Sequence, residues 1–123
     1  MTLRPTAPAA AFVLTLILSA RAALAHAHLD HASPPAGSSV TASPKEVVLW
    51  FTEALEQKFS TVEVRDIEDQ PMQAGKAVID PGNSAALRVP LKPLPPGIYK
   101  VIWRVLSVDT HRTQGDFTFT VGK

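Results

Sequence analysis

Residues 98–109, with the sequence IYKVIWRVLSVD, are the stretch that decides the fold class. Large apolar side chains occupy every second position in it, at Tyr99, Val101, Trp103 and Val105. Side chains at i and i+2 lie on the same face of a β-strand, so this period places all four together. The stretch therefore predicts a long strand with one buried face.

The chain after residue 25 repeats this short-range pattern. β-type runs are predicted at residues 26–33, 46–51, 60–66, 76–79, 85–91, 98–109 and 116–121. Proline, glycine, asparagine and aspartate fall mostly between the runs, where turns are expected and a missing N–H costs least. About seven strands joined by such turns predict an all-β protein, a β-sandwich. Residues 51–59, FTEALEQKF, can hold a helical turn within a loop.

The first 25 residues have the pattern of a secretory signal peptide. Arg4 gives a positive start, AAFVLTLILSA at 10–20 is apolar, and ALA at 23–25 is a small-x-small cleavage site. A membrane anchor is the alternative, but the apolar run is well short of the ~20 residues that a spanning helix needs. We therefore predict cleavage after Ala25, a single domain at residues 26–123, periplasmic localisation and no membrane anchor. Cleavage after Ala27 is a second possibility, because Ala25 and Ala27 flank His26 in the same small-x-small form.

Composition excludes several classes of function. The chain has 123 residues, a formal net charge of +1 and no cysteine. It has neither a basic patch nor a glycine loop that could cradle phosphate, so no nucleic-acid partner is predicted. Without cysteine it offers no thiolate as a nucleophile or metal ligand.

The four histidines are the candidate functional residues. His26, His28 and His31 lie just after the predicted signal, and His111 follows the longest strand in the sequence DTH. If His26 is the first mature residue, its α-amine and its Nδ1 can chelate one metal ion, and tetragonal nitrogen and oxygen ligation favours Cu(II). Asp109 and His111, two apart in extended backbone, can face one point and complete that site.

Other interpretations of these residues remain open on spacing alone. A histidine in a turn is commonly a solvated polar residue, and Asp109 can simply stabilise its turn. His28 as third mature residue also allows an amino-terminal x-x-His mode, in which the amine, two amides and one imidazole hold Cu(II) or Ni(II). In an extended chain, His31 would point to the opposite face from His26 and His28, and it is predicted to be a solvated strand residue.

The mature sequence resembles the CopC family of bacterial periplasmic copper-binding proteins. The matching segments run in order along nearly the whole domain: HAHL, SPPAG, VVLWFTEAL, FSTVEV and LPPGIYKVIWRVLSVDTHRTQGDFTFTV. The resemblance implies a seven-stranded Greek-key, immunoglobulin-like β-sandwich with a Cu(II) site. It implies His26, Asp109 and His111 as ligands, with Glu53 and His28 as second-tier candidates.

Two departures from the family refine this expectation. Some relatives carry a methionine-rich loop for Cu(I), whereas the loop here, DIEDQPMQAG, contains Met72 alone. One Cu(II) site and no dedicated Cu(I) site are therefore expected, since Cu(I) prefers several soft thioether ligands. Some relatives are fused to a membrane copper permease; this chain ends after its last predicted strand and is expected to serve a copper permease of the CopD type in trans.

A copper carrier or buffer, not an enzyme, is the predicted function. A copper-dependent oxidative enzyme that uses an N-terminal histidine is the first alternative. The small domain disfavours it, and so does the lack of an exposed aromatic platform in the sequence, because Tyr99, Trp50 and Trp103 lie within strand runs and are predicted to be in the core. An exported β-sandwich interaction module with incidental histidines is the second alternative.

Overall fold

The computed structural model describes residues 27–122, which contain eight β-strands. In chain order they are β1 (Leu29–Ser33), β2 (Ser39–Val40), β3 (Glu46–Phe51), β4 (Thr61–Arg65), β5 (Val78–Asp80), β6 (Asn83–Pro90), β7 (Gly97–Leu106) and β8 (Arg112–Val121). A short 3-10 helix at Gln57–Phe59 lies between β3 and β4 and confirms the helical turn predicted there.

The strands form two four-stranded sheets. One has the order β1-β3-β6-β5, and the other has the order β2-β8-β7-β4. All pairs are antiparallel except β2 with β8. The all-β class predicted from the sequence is confirmed, and the strand order is compatible with the expected Greek-key connections.

One apolar core lies between the two sheets. Tyr99, Val101, Trp103 and Val105 are all buried in it, as the alternation in β7 predicts. From the other sheet, Leu49 of β3 is fully buried in the same cluster. Two faces of apolar side chains therefore meet, which makes the molecule a β-sandwich.

The β7–β8 hairpin determines where the candidate site lies. Its ladder runs from the Gly97–Val121 pair to the Leu106–Arg112 pair. Residues 107–111 form the turn that connects the two strands, so Asp109 and His111 lie at one end of the sandwich. The sequence predicted that β7 would continue to residue 109, but the structure ends it at Leu106.

Two further details differ from the sequence prediction. The two-residue strand β2 lies in a segment that was predicted as a turn. Ser39 and Val40 are extended there because they pair in parallel with β8. Trp50, predicted to be in the core, is instead half-buried and stacks on His31.

The predicted signal peptide and His26 lie outside the described residues, so the signal, its cleavage and the role of His26 stay predictions. Within residues 27–122, none of the helical segments has the length and apolar character needed to span a membrane.

Candidate metal centre

The turn between β7 and β8 is closed by backbone hydrogen bonds. Ser107 N–H donates to the His111 carbonyl at 3.0 Å, and Thr110 N–H donates to the Ser107 carbonyl at 2.9 Å. Thr110 has a φ of 70°, in the left-handed region that β-branched residues rarely occupy. This turn, rather than an extended strand, sets the relative positions of the side chains on either side of Thr110.

Asp109 and His111 are brought together by that turn. His111 Nδ1 lies 3.3 Å from Asp109 Oδ1, and each side chain is 42% exposed. The sequence predicted that the two residues would face one point, and they do, although across a turn. A half-exposed imidazole beside a carboxylate is a donor set that suits a copper or zinc ion.

The pKa of Asp109 lies below its usual value. The main cause is the hydrogen bond that Ser107 donates to the carboxylate, and the hydrogen bond and charge of His111 act in the same direction. Partial desolvation opposes them. The carboxylate is therefore held ionised beside the imidazole at neutral pH.

Ser107 is a site residue that the sequence prediction missed. It is fully buried, and its Oγ contacts both Asp109 Oδ1 and the backbone of His111. The signal was present in the sequence, because Ser107 continues the buried series Tyr99, Val101, Trp103 and Val105 by two residues. A hydroxyl at the next core-facing position requires a hydrogen-bond partner.

The start of the described chain is held against the same end of the sandwich. Thr113 Oγ1 donates to the Ala27 carbonyl at 2.7 Å, and Ala27 is fully buried in the core cluster. His28 N–H donates to Thr52 Oγ1 at 2.9 Å, and Thr52 N–H donates to the His28 carbonyl at 2.9 Å. The residues that follow His26 are thus fixed beside the start of β8, two residues from His111.

Glu53 lies between these two fixed segments. Its neighbour Thr52 pairs with His28, and its other neighbour Ala54 accepts a hydrogen bond from Val108 N–H at 3.0 Å. The Glu53 side chain is half-buried. The structure therefore places this second-tier residue at the site end of the sandwich.

His31 belongs to a different surface. Its ring stacks on Trp50 with centroids 4.3 Å apart and planes 8° apart. Its Nδ1 lies 2.7 Å from Asp30 Oδ2, and the side chain is 57% exposed. The prediction of an exposed strand residue is confirmed, with the addition of an aromatic stack.

Within residues 27–122, no three histidine, aspartate or glutamate side chains converge as a ready metal cluster. Asp109 and His111 are the predicted ligands whose side chains lie close together, 3.3 Å apart. A metal site at this turn therefore needs at least one further donor. His26, one peptide unit before Ala27, is outside the described range.

Comparison with known proteins identifies the family. The CopC domain profile matches residues 29–122. This chain belongs to the CopC family. The CopC-family chain is also 38% identical over 110 residues to Protein YobA of Escherichia coli K12, a match that covers 89% of each chain.

Two solved structures share the fold of this CopC-family chain. The crystal structure of CopC from Methylosinus trichosporium OB3b matches with a TM-score of 0.74 and 34% identity, covering 79% of this chain and 94% of that one. PcoC from Escherichia coli, described as a methionine-rich copper resistance protein, matches with a TM-score of 0.69 and 36% identity. That match covers 79% of this chain and 99% of PcoC.

Proposed function

We propose that this CopC-family chain is a periplasmic copper carrier or buffer in copper homeostasis, resistance or uptake. It binds a single Cu(II) ion at a site built on the mature N-terminal His26, and it passes copper to an inner-membrane permease of the CopD type. The copper resistance role named for PcoC and the family membership support copper as the cargo.

The hydrogen bond between Thr113 and Ala27 is the observation that carries this proposal. It holds the buried carbonyl of Ala27 at 2.7 Å from a residue only two positions after His111. Consecutive Cα atoms are about 3.8 Å apart. We therefore expect the residue that directly precedes Ala27 to reach the Asp109–His111 turn.

The ligand roles follow from the orientation of the turn. His26 supplies its α-amine and Nδ1, which form a chelate only after the signal is removed. His111 Nδ1 lies 3.3 Å from Asp109 Oδ1, so we assign Nε2 of His111 as the nitrogen that binds copper. Asp109 balances the charge of Cu(II), either as a weak oxygen ligand through Oδ2 or by orienting the imidazole. Glu53 and His28 are neighbours of the site.

The x-x-His mode fits this structure less well. It would require the deprotonated amides of Ala27 and His28 as copper ligands. The His28 amide instead donates to Thr52 Oγ1 at 2.9 Å, and Ala27 is fully buried. Wrapping the terminus around copper would break that hydrogen bond and expose Ala27.

The same contacts favour cleavage after Ala25 over cleavage after Ala27. Ala27 packs in the core cluster and accepts the hydrogen bond from Thr113. Cleavage after Ala27 would remove a residue that the folded domain buries. Cleavage after Ala25 keeps it and leaves His26 first.

Met72 supports the absence of a dedicated Cu(I) site. It packs against the core, and its N–H donates to the Val64 carbonyl at 2.7 Å. The full sequence contains two methionines, of which Met1 belongs to the predicted signal. One partly buried thioether does not provide the set of soft ligands that Cu(I) prefers.

The test compares Cu(II) binding by the protein that begins at His26 with binding by a form that retains Ala25. Titration with electron paramagnetic resonance should show one tight nitrogen-rich site in the processed form and its loss in the extended form. His111→Ala should change the spectrum, whereas His31→Ala, the matched histidine on the other surface, should not.

Equal affinity of the processed and extended forms would refute the N-terminal chelate. An unchanged spectrum in His111→Ala would instead support the x-x-His mode. If the processed form showed no saturable copper binding, the carrier function itself would be wrong.

A further inference from the structure

The hydroxyl of Ser107 links the core to the candidate ligands. The residue is fully buried at the end of β7, where the four preceding core-facing side chains are apolar. Its Oγ contacts Asp109 Oδ1, the same oxygen that faces His111 Nδ1. Ser107 is thus hydrogen-bonded to Asp109, whose carboxylate lies 3.3 Å from Nδ1 of the half-exposed imidazole.

The single hydroxyl proton of Ser107 has two acceptors within reach. The Asp109 carboxylate is closer than the His111 carbonyl, which is 3.3 Å away. A charged acceptor also forms the stronger hydrogen bond. The proton therefore goes to Asp109, and a lone pair on Oγ accepts the His111 N–H at 3.3 Å.

We propose that Ser107 is a positioning residue of the copper site. Its hydroxyl fixes the Asp109 carboxylate, which in turn holds the His111 ring with Nδ1–H toward the carboxylate and Nε2 toward the metal. The proposal rests on the proposed Cu(II) function, but the tautomer that it requires is a property of the metal-free protein.

Ser60 is a matched control for a purely structural role. It is also a buried serine, 4% exposed, and its Oγ accepts the Leu106 N–H at 3.2 Å. Its hydroxyl oxygen thus provides a hydrogen-bond partner for a backbone N–H at the same end of β7. None of its described contacts involves Asp109 or His111, so a general loss of stability should affect Ser60→Ala and Ser107→Ala alike.

The first measurement is the 15N chemical shifts of His111 in the processed, metal-free protein at a pH where the ring is neutral. We expect the Nδ1–H tautomer in the wild-type protein and in Ser60→Ala. Ser107→Ala should shift the population toward a mixture of tautomers. A wild-type His111 protonated on Nε2 would overturn the proposal, because the ring would then not donate to Asp109.

The second measurement is Cu(II) affinity by competition with a chelator. Ser107→Ala should bind about tenfold more weakly, the lower end of the effect of losing an outer hydrogen bond to a metal ligand. Its copper resonance spectrum should also change, and Ser60→Ala should match the wild type in both. Equal losses in the two variants, or no loss in Ser107→Ala, would refute the positioning role.

These outcomes separate the two proposals. If the wild-type processed protein binds no copper, the function fails; if it binds copper and Ser107→Ala binds equally well, the positioning role alone fails. Should Ser107→Ala not fold, Ser107→Cys replaces it, because a thiol fills the position of the hydroxyl but donates only weakly. The same shifts in tautomer and affinity are then expected, with smaller amplitude.

Discussion

Thr110 has the least favourable backbone conformation near the candidate site. Its φ of 70° is one that glycine adopts freely and that costs other L-residues roughly 1–2 kcal/mol. The conformation turns the chain so that Asp109 and His111, on either side of it, meet at 3.3 Å. A strained residue between two candidate ligands is consistent with a turn shaped by the site it carries.

Thr110→Gly should therefore raise the free energy of unfolding by up to about 1 kcal/mol, because relief of strain exceeds the added chain entropy of glycine. Urea denaturation of the metal-free protein measures this change. Thr118→Gly is the control, since Thr118 lies in the extended strand β8 and is also exposed. That variant should lose stability, and equal losses in both variants would contradict the strain interpretation.

Individual residues show how far the sequence could predict the site. The closeness of Asp109 and His111 was predictable from their spacing, although the predicted reason, extended backbone, was wrong, and their role as ligands stays a prediction. Ser107 was missed because the alternation that indicates its burial was applied only to the four large side chains before it. The position of His26 follows from signal cleavage rather than from packing and stays a prediction.

At the scale of elements, the start of β8 holds the amino-terminal segment. Thr113→Val removes the hydroxyl that satisfies the Ala27 carbonyl but keeps the shape of the side chain. We expect a loss of about 1 kcal/mol in the free energy of unfolding and weaker Cu(II) binding, because a buried carbonyl loses its partner and the segment is released. Denaturation and copper titration measure the two effects.

Thr120→Val is the matched control for that variant. Thr120 lies on the same strand and is also partly buried, but it is near the opposite end of the hairpin, where it pairs with Ile98. This substitution should leave copper affinity unchanged. If Thr113→Val bound copper as tightly as Thr120→Val, the hydrogen bond to Ala27 would not hold the site.

Gly115 is required where β8 passes Trp103. A Cβ at Gly115 would lie 2.5 Å from Cζ2 and 2.9 Å from Cε2 of the Trp103 ring, which packs edge-on against Phe51. Gly115→Ala should cost about 1–3 kcal/mol in the free energy of unfolding by overpacking, and it should shift tryptophan emission. Urea denaturation followed by fluorescence measures both.

Gly97→Ala provides the comparison in the same ladder. There the nearest atom, Tyr99 OH, would be 3.7 Å from the new Cβ, an ordinary contact. Its stability should remain close to that of the wild type. Comparable losses at Gly97 and Gly115 would mean that glycine is needed for its backbone and not for the space beside Trp103.

The strands were predictable where alternating side chains determine which residues are buried. They were less predictable where pairing with a neighbouring strand determines which residues are extended. β4 and β7 follow from their alternating pattern. β8 begins at Arg112, four residues before the predicted start, because the polar residues there pair with the end of β7. β2 has two residues and is extended through its partner β8, so no local pattern could reveal it.

At the scale of the whole molecule, a core between two sheets supports a site assembled from distant parts of the chain. No disulfide is available, since the sequence has no cysteine. The sandwich itself holds the Ala27 segment, the Thr52–Ala54 connection and the β7–β8 turn at one end. Residues far apart in sequence can thus share one metal, with the fold as the rigid support.

Copper loading should consequently depend on pH through the nitrogen ligands. The pKa of Asp109 is lowered, so the part of the turn's stability that this carboxylate supplies is lost only in more acidic solution. Amines and imidazoles have ordinary pKa values of ~8 and ~6.5, so nitrogen ligands take up protons as the solution is made mildly acidic. Cu(II) affinity should therefore fall at least about a hundredfold from about pH 7.5 to about pH 5.5.

Competition titrations of the processed protein across that pH range measure the effect. His111→Ala removes one of the nitrogen ligands for which protons compete with copper, so its affinity should fall less over the same range. Circular dichroism at each pH confirms that the sandwich stays folded. An affinity independent of pH in the wild-type protein would assign copper to oxygen ligands and contradict a site built from His26 and His111.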